Sequence, residues 1–403
     1  MLASVRSWAE RHTGLLLLFV AAMVYLVGGP WIGAGDSFAP LADAFLHGRL
    51  YVTEAMPSLE MVPRPGGGWY SPFPPVPAIA MVPFVSVLGT TLVDTNWTTA
   101  IVGGIAVVLM WGILRRVSLE PRVALWLALA FAFGSELLWV AASGGQHHLP
   151  QVLALCLALG ALRLALDRRH PLVAGLLLGL AAGSRLPAAL ATPLLLALYG
   201  GLAGGDRVER SRAVRDGAWF LAGLALPLTG LALYNIARFG SPFEFGYGMI
   251  VNPEGQSVLA EPWYSDGIES ITYLPRNLYA MLVRSFDFVD QPPWLRPNWM
   301  GTSILITMPV LLYLVRARLR DPLVAWCLLA AGLTILPDLL HGAVGFSQFG
   351  YRFILDALPY LWLALALTIR DRFDRVARAA LLLGVGVNLY GLIAVWGLGF
   401  VSY

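Results

Sequence analysis

The sequence predicts an all-α polytopic membrane protein, a single integral membrane domain over residues 1–403, and three observations carry that prediction. Hydrophobic residues make up 58% of the chain and charged residues only 13%, against about 25% charged in ordinary soluble domains. Mean hydropathy is +0.70. The apolar residues fall in runs of about the 20 needed to cross a bilayer, and arginines punctuate the runs. A net charge of +3 is too small to recruit nucleic acid, so the bilayer is the one partner that composition implies.

No lysine occurs, so every permanent cation is an arginine. Any phosphate bound by this chain is therefore expected to be held by a guanidinium, whose fork can grip it with two hydrogen bonds. Cys156 and Cys327 both lie in apolar segments and read as small hydrophobes, since two distant cysteines make neither a disulfide framework nor a metal site. The apolar run from Gly14 is long enough to span, and no A-x-A-like site closes it, so it reads as a helix and not as a cleaved leader.

In chain order, Arg6 and Arg11 place the N-terminus inside, and the first span runs outward over 14–33. Further inside anchors are Arg115, Arg116, Arg122, Arg168, Arg169, the run from Arg207 to Arg215, the trio Arg316, Arg318 and Arg320, and the group from Arg370 to Arg378. Helices fitted between them lie near 96–115, 122–141, 150–166, 171–184, 187–204, 217–236, 300–316, 322–340, 353–369 and 377–399. That gives about eleven crossings and an outside C-terminus. The segments 171–184 and 187–204 are separated only by Arg185 and Leu186, and Gly179, Gly183 and Pro187 permit a break there.

Two external loops remain, 35–95 and 238–298. The first gathers Asp36, Asp43, His47, Arg49, Glu54, Glu60 and Arg64 in a chain otherwise poor in charge. Within it Ser37–Tyr51 and Pro75–Gly89 read as interfacial helices; the second is short for a crossing, carries Pro75, Pro77 and Pro83, and as a span would put Arg115 and Arg116 outside. The second loop is rich in aromatic residues and proline, and its length marks it as functional. Internal repeats and low-complexity segments are absent from the sequence.

The ordered motifs are Gly35-Asp36-Ser37 after the first span, Tyr70-Ser71-Pro72-Phe73-Pro74-Pro75 between the interfacial helices, Gly145-Gln146-His147-His148, Gly183-Ser184-Arg185-Leu186-Pro187, Asn235 with Arg238-Phe239-Gly240-Ser241-Pro242, and Gly350-Tyr351-Arg352-Phe353. Together they resemble the GT-C superfamily of membrane glycosyltransferases, especially the protein O-mannosyltransferase and lipid A aminoarabinose transferase branches. The resemblance covers nearly the whole chain. It implies inverting, metal-independent and cofactor-free transfer of a sugar from a polyprenyl-phosphate donor to a lipid, glycan or protein acceptor on the outer face of a bacterial plasma membrane. It also implies an acidic base in the first external loop, at the position of Asp36. The chain departs from the pattern in two places: Ser37 follows Asp36 where a second acid is common, and Ser71 and Phe73 stand where a lysine precedes the Pro-Pro.

Each candidate residue has a plainer reading. Asp36 is either the general base, a partly desolvated carboxylate tuned for proton abstraction, or an N-cap; Ser37 can cap equally well, which frees Asp36. Among the other acids Glu54 is the first choice to orient the acceptor, with Asp43 and Glu60 as solvated loop charges. Arg185 either neutralises the donor phosphate or snorkels as a helix-end anchor. Arg352 either binds phosphate or pairs with Asp356 at i, i+4. Arg238 is a sugar or acceptor contact or a loop anchor. His147 and His148 lack ligand neighbours at zinc-like spacing; they contact sugar or phosphate, or simply lie at the interface. Tyr70, with Trp69, Trp263 and Tyr264, either stacks on a sugar or belongs to an interfacial belt. The rival class is a transporter or lipid flippase for a lipid-linked sugar, which is expected to bind near the midplane between inverted repeats. A ligase moving whole glycans is a third reading.

Overall fold

The computed structural model describes residues 2–30, 35–56, 60–117, 119–202, 209–252, 254–345, 347–370 and 373–400, with the side chains of 2–11 left out. The side chains of Arg6 and Arg11, residue Arg207 and the end of the first expected span therefore lie outside the described residues. What is described is mostly helical.

Helix α1 (Leu2–Gly28) stops at Gly28-Gly29-Pro30 and is pinned by the buried Tyr25, whose hydroxyl donates to the Ala132 carbonyl at 2.9 Å. Helix α2 (Phe38–Leu46) buries Phe38, Leu41 and Ala42 against α3 (Val76–Leu88), with the hairpin of β1 (Val62–Pro63) and β2 (Trp69–Tyr70) between them in the chain. Gly66, Gly67 and Gly68 make that hairpin turn with positive φ, which costs a glycine little. The two interfacial helices expected in this loop are therefore present as helices, the first shorter than Ser37–Tyr51.

Helix α4 (Thr95–Arg116) carries Arg115 and Arg116 in its last turn, where cations suit the helix dipole. Then come α5 (Pro121–Phe133) and α6 (Leu137–Ser143), bent by 47° at Gly134-Ser135-Glu136. Helix α7 (Gly145–Leu166) precedes α8 (Pro171–Ala182), a 3-10 turn (Leu186–Ala191) and α9 (Thr192–Tyr199). Helix α10 (Arg210–Phe239) crosses α8 with backbone on backbone: a Cβ at Gly175 would strike the Phe220 carbonyl, and one at Gly223 the Leu172 carbonyl. Small residues that let backbones approach are the usual contact between apolar helices in lipid.

The second loop holds short 3-10 turns, α11 (Leu274–Leu282) and the hairpin β3 (Asp287–Phe288) and β4 (Leu295–Arg296). It is tied to the first loop by paired hydrogen bonds between Met61 and Val251 and to the end of a later helix by Ser270 N–H on the Leu340 carbonyl (2.8 Å). Strand β5 (Met300–Thr302) leads into α12 (Ile304–Thr307) and a 3-10 segment (Pro309–Arg316); α13 (Pro322–Leu340) follows. Strand β6 (Gln348–Gly350) pairs parallel to β5, followed by a 3-10 turn (Arg352–Asp356), α14 (Leu358–Ile369) and α15 (Arg375–Leu392), which runs on into a wider π-helical turn (Ile393–Gly397).

Among the described residues, five helices are long and apolar enough to cross a membrane, Thr95–Arg116, Gly145–Leu166, Arg210–Phe239, Pro322–Leu340 and Arg375–Gly397, or six if the bent α5–α6 pair is one span. The expectation of about eleven crossings is corrected accordingly. Hydropathy sums apolar residues across breaks that the backbone obeys. The stretch 300–316 is the clearest case: β5 takes its first residues into a sheet, and Pro309, without an N–H, ends the single turn of α12.

Candidate functional site

Beneath the two joined loops, breaks in several apolar segments bring charge together. Gly183 ends α8, and Arg185 follows in extended backbone, so its side chain leaves the helix axis and runs into the interior. Its Nη2 donates to Asp338 Oδ1 and Asp356 Oδ2, both at 2.7 Å, and its Nε donates to the same Asp356 oxygen at 3.0 Å. Phe353 lies 5.2 Å from the guanidinium. Asp338 comes from the last turns of α13, just after Pro337, and Asp356 from the 3-10 turn before α14. Arg185 is thus a paired interior charge, and its reading as a snorkelling anchor is corrected.

Arg352 enters from the other end of that 3-10 turn. It is buried, donates to the carbonyls of Gly345 (3.0 Å) and His147 (3.3 Å), and also lies 5.2 Å from Phe353. The i, i+4 pair with Asp356 does not form, because Asp356 is taken by Arg185. A 3-10 turn places i and i+4 on different faces, unlike the α-helix assumed for that pairing.

The first loop brings Glu60 near Arg352. Burial raises its pKa above the usual carboxylate range; the neighbouring Arg352 opposes that and Glu261 adds to it. Glu54, the acid preferred from sequence, is exposed. His147 packs edge-on against Phe73 at 5.3 Å, near Arg352 and Arg185. His148 donates from Nδ1 to the Gly144 carbonyl (2.6 Å) and packs on Trp139. His341 caps α13 and packs on Tyr264 and Phe353. Its Nδ1 lies 3.0 Å from the Ala343 N–H, which it accepts in one tautomer, and 3.3 Å from the Ala343 carbonyl, to which it donates in the other. Burial lowers its pKa to about 4, helped by Arg185, Arg352 and Arg276 against the Ala343 bond. Tyr247 and Tyr264 of the second loop lie close by, Tyr247 near Arg185 and Asp338, and Tyr264 near Glu60.

Asp36 sits at the rim and caps α2: its Oδ1 accepts the N–H groups of Phe38 (2.7 Å) and Ala39 (2.9 Å). Ser37, expected to do this, instead shares a 2.8 Å hydrogen bond with the Ser71 hydroxyl. The cap uses one carboxylate oxygen. Burial raises the Asp36 pKa, the two backbone N–H groups pull it back, and the Asp94 charge raises it again. Thr95, also beside Asp36, accepts the Gly145 N–H at 2.8 Å, which ties the rim to the start of α7 and its histidines. Arg238 holds the loop from below, donating to the Ser71 carbonyl (2.8 Å) and Asn235 Oδ1 (2.9 Å) under the rings of Tyr234 and Phe239; Tyr70 packs edge-on against Phe239 at 5.4 Å.

The structure therefore groups Arg185, Arg352 and His147, uses Asp36 as the cap of α2, and uses Arg238 and Tyr70 to fasten the loop. Sequence reasoning passed over Asp338, His341 and Tyr247. Asp338 had a signal, being the only carboxylate within Pro322–Leu340. Among the described residues no group of three His, Cys, Asp or Glu side chains is placed to hold a metal ion. A cavity of about 130 Å³ opens at the opposite end of α13, lined by Tyr313, Arg316, Arg318, Asp321, Thr368 and Arg370, away from all these residues. No family model, curated protein or solved structure matches the chain.

Proposed function

We propose that the chain is a membrane glycosyltransferase of the GT-C kind, moving a sugar from a polyprenyl-phosphate donor to an acceptor on the extracytoplasmic face of a bacterial plasma membrane. Asp36 takes the proton of the acceptor hydroxyl as its oxygen attacks the anomeric carbon. The bond from that carbon to the phosphate oxygen breaks with inversion, and polyprenyl phosphate leaves. Arg352 meets the leaving phosphate, and Arg185, already shared between Asp338 and Asp356, positions the Arg352 turn through Asp356 and Phe353. Glu60, near Arg352, replaces Glu54 as the second acid, placed to orient the acceptor.

The observation that carries this reading is that the first loop holds a half-buried carboxylate whose pKa is raised, Asp36, and also brings Glu60 near the buried Arg352, which shares the Phe353 ring with Arg185. The order of the sequence motifs adds the donor class. The test compares wild type and Asp36→Asn in vesicles with a panel of radiolabelled polyprenyl-phosphate sugars and native membrane lipids as acceptors, after both proteins are shown to fold and bind donor. Transfer of one sugar by the wild type, lost in a variant that still binds donor, supports the assignment; undiminished transfer by the variant removes Asp36 as base. Transport of a lipid-linked sugar is the second reading, favoured by the charges at breaks in apolar segments, where transporters place their sites.

A further inference from the structure

The break between α5 and α6 carries a charge that the site above does not use. Glu136 is fully buried, and neither carboxylate oxygen has a hydrogen-bond partner in the protein. The carboxylate packs directly on the Cα of Gly350, where any Cβ would collide with it. Gly350 is paired in parallel register with Thr302. Paired residues in a sheet project their side chains to the same face, so the Thr302 side chain extends on the face of β5–β6 that meets Glu136. Its hydroxyl is buried and also without a partner. Thr307 stands beside the carboxylate as well, outside hydrogen-bond geometry, and its hydroxyl is likewise unpartnered. Asn388 of α15 closes the group: its Nδ2 donates to the carbonyls of Thr307 (2.7 Å) and Gly384 (2.8 Å), and its Oδ1 has no partner. Glu136, Thr302, Thr307 and Asn388, from four separate elements, thus each carry a buried oxygen without a partner, and no cationic side chain among the described residues acts on Glu136.

An ionised carboxylate buried alone is too costly to persist, so it must hold either a proton or a cation. The surrounding donors are hydroxyl and amide oxygens, hard ligands that suit alkali and alkaline-earth ions and not the softer transition metals. One carboxylate balances one positive charge, which selects a monovalent ion. The break itself contributes, since the carbonyl end of α5 points its partial negative charge there. We propose that Glu136, Thr302 and Thr307 form a buried sodium site at the α5–α6 break. The proposal does not depend on the transferase reading: a sodium ion here serves a transferase as a structural ion and a transporter as a coupling ion.

The test is thermal unfolding of the purified full chain in matched series of sodium, potassium and choline chloride. Sodium is expected to raise the midpoint saturably above choline at equal ionic strength. Glu136→Gln, which keeps shape and removes charge, is expected to abolish the difference, and Thr307→Val to raise the half-saturating sodium concentration by about tenfold. Equal stability in all three salts overturns the proposal and assigns the carboxyl a proton instead. Sodium dependence that survives in Glu136→Gln overturns it too. If Glu136→Gln does not fold, Thr302→Val and Thr307→Val decide: unchanged sodium midpoints in both sink the site.

Discussion

Arg185 and Glu136 both occupy breaks in apolar segments, and they differ in what surrounds them. Arg185 meets two carboxylates brought by Pro-containing segments, Asp338 after Pro337 and Asp356 before Pro359, and its Nε and Nη2 are engaged by them. Glu136 meets only neutral oxygens that do not bond to it. A break lets a chain carry charge inside an apolar body, because the side chain can leave the helix axis there. Whether the charge is spent on the fold or kept for a ligand depends on the partners that neighbouring segments supply. Arg185 is on the structural side of that division and Glu136 on the other, with Arg352, Glu60 and Asp36 between them.

The comparison breaks most easily at Arg185. Arg185→Ala leaves two interior carboxylates without their cation, and removing one partner of a buried pair costs about 3–5 kcal/mol. Loss of the folded protein on detergent extraction, read by size-exclusion chromatography, is the expected outcome. Arg185→Lys is expected to recover only part of the loss, because one ammonium cannot reproduce the fork that spans Asp338 and Asp356. Glu136→Gln in choline, by contrast, is expected to cost under about 1 kcal/mol, since no protein partner is left unsatisfied. Equal losses for Arg185→Ala and Glu136→Gln would erase the distinction.

Asp36 combines both roles, and two substitutions separate them. Asparagine caps a helix about as well as aspartate, whereas alanine loses about 1 kcal/mol. Asp36→Asn should therefore not lower the thermal midpoint but should lower transfer by about 10²–10⁴-fold, the range for a general base, while Asp36→Ala lowers both. Because burial raises the folded pKa of Asp36, the stability associated with its proton is present at low pH and is lost as pH rises through that pKa. Wild type is thus expected to lose ground to Asp36→Asn on going from acid to neutral pH. The acid limb of the transfer rate should lie above the ordinary aspartate range.

Much of this was legible in the chain and some was not, for physical reasons. The acid-rich first loop, its two helices and the break at Arg185 follow from charge density and from Gly and Pro positions, which act locally. The number of crossings is not local. It depends on whether a run such as 300–316 continues as a helix, and β5 instead pairs with β6, nearly 50 residues further on, where Gln348 Nε2 also donates to the Met300 carbonyl. A span drawn over 122–141 passes straight through Glu136, although Gly134-Ser135-Glu136 in an apolar run is a signal of both a bend and a site. The cap at Asp36 went the other way: Ser37 and Asp36 are equal as capping residues, and only the Ser37–Ser71 hydrogen bond, a contact across the loop, decides between them.

The smallest expected effect concerns the two loop glutamates. Glu54 is exposed, so Glu54→Gln should leave stability within about ±0.5 kcal/mol and transfer unchanged. Glu60 lies under the second loop near Arg352, and burial outweighs that arginine in raising its pKa. The sign follows from the raised value: the folded state binds the Glu60 proton more tightly than the unfolded chain, so ionised Glu60 costs stability at neutral pH. Glu60→Gln should therefore raise the thermal midpoint at neutral pH, and the gain should shrink as pH falls and the wild-type carboxyl takes its proton. If the same substitution also slows transfer, Glu60 belongs with the charges kept for a ligand. A midpoint that falls at neutral pH would mean that Arg352 outweighs burial, and Glu60 would join Arg185 among the charges spent on the fold.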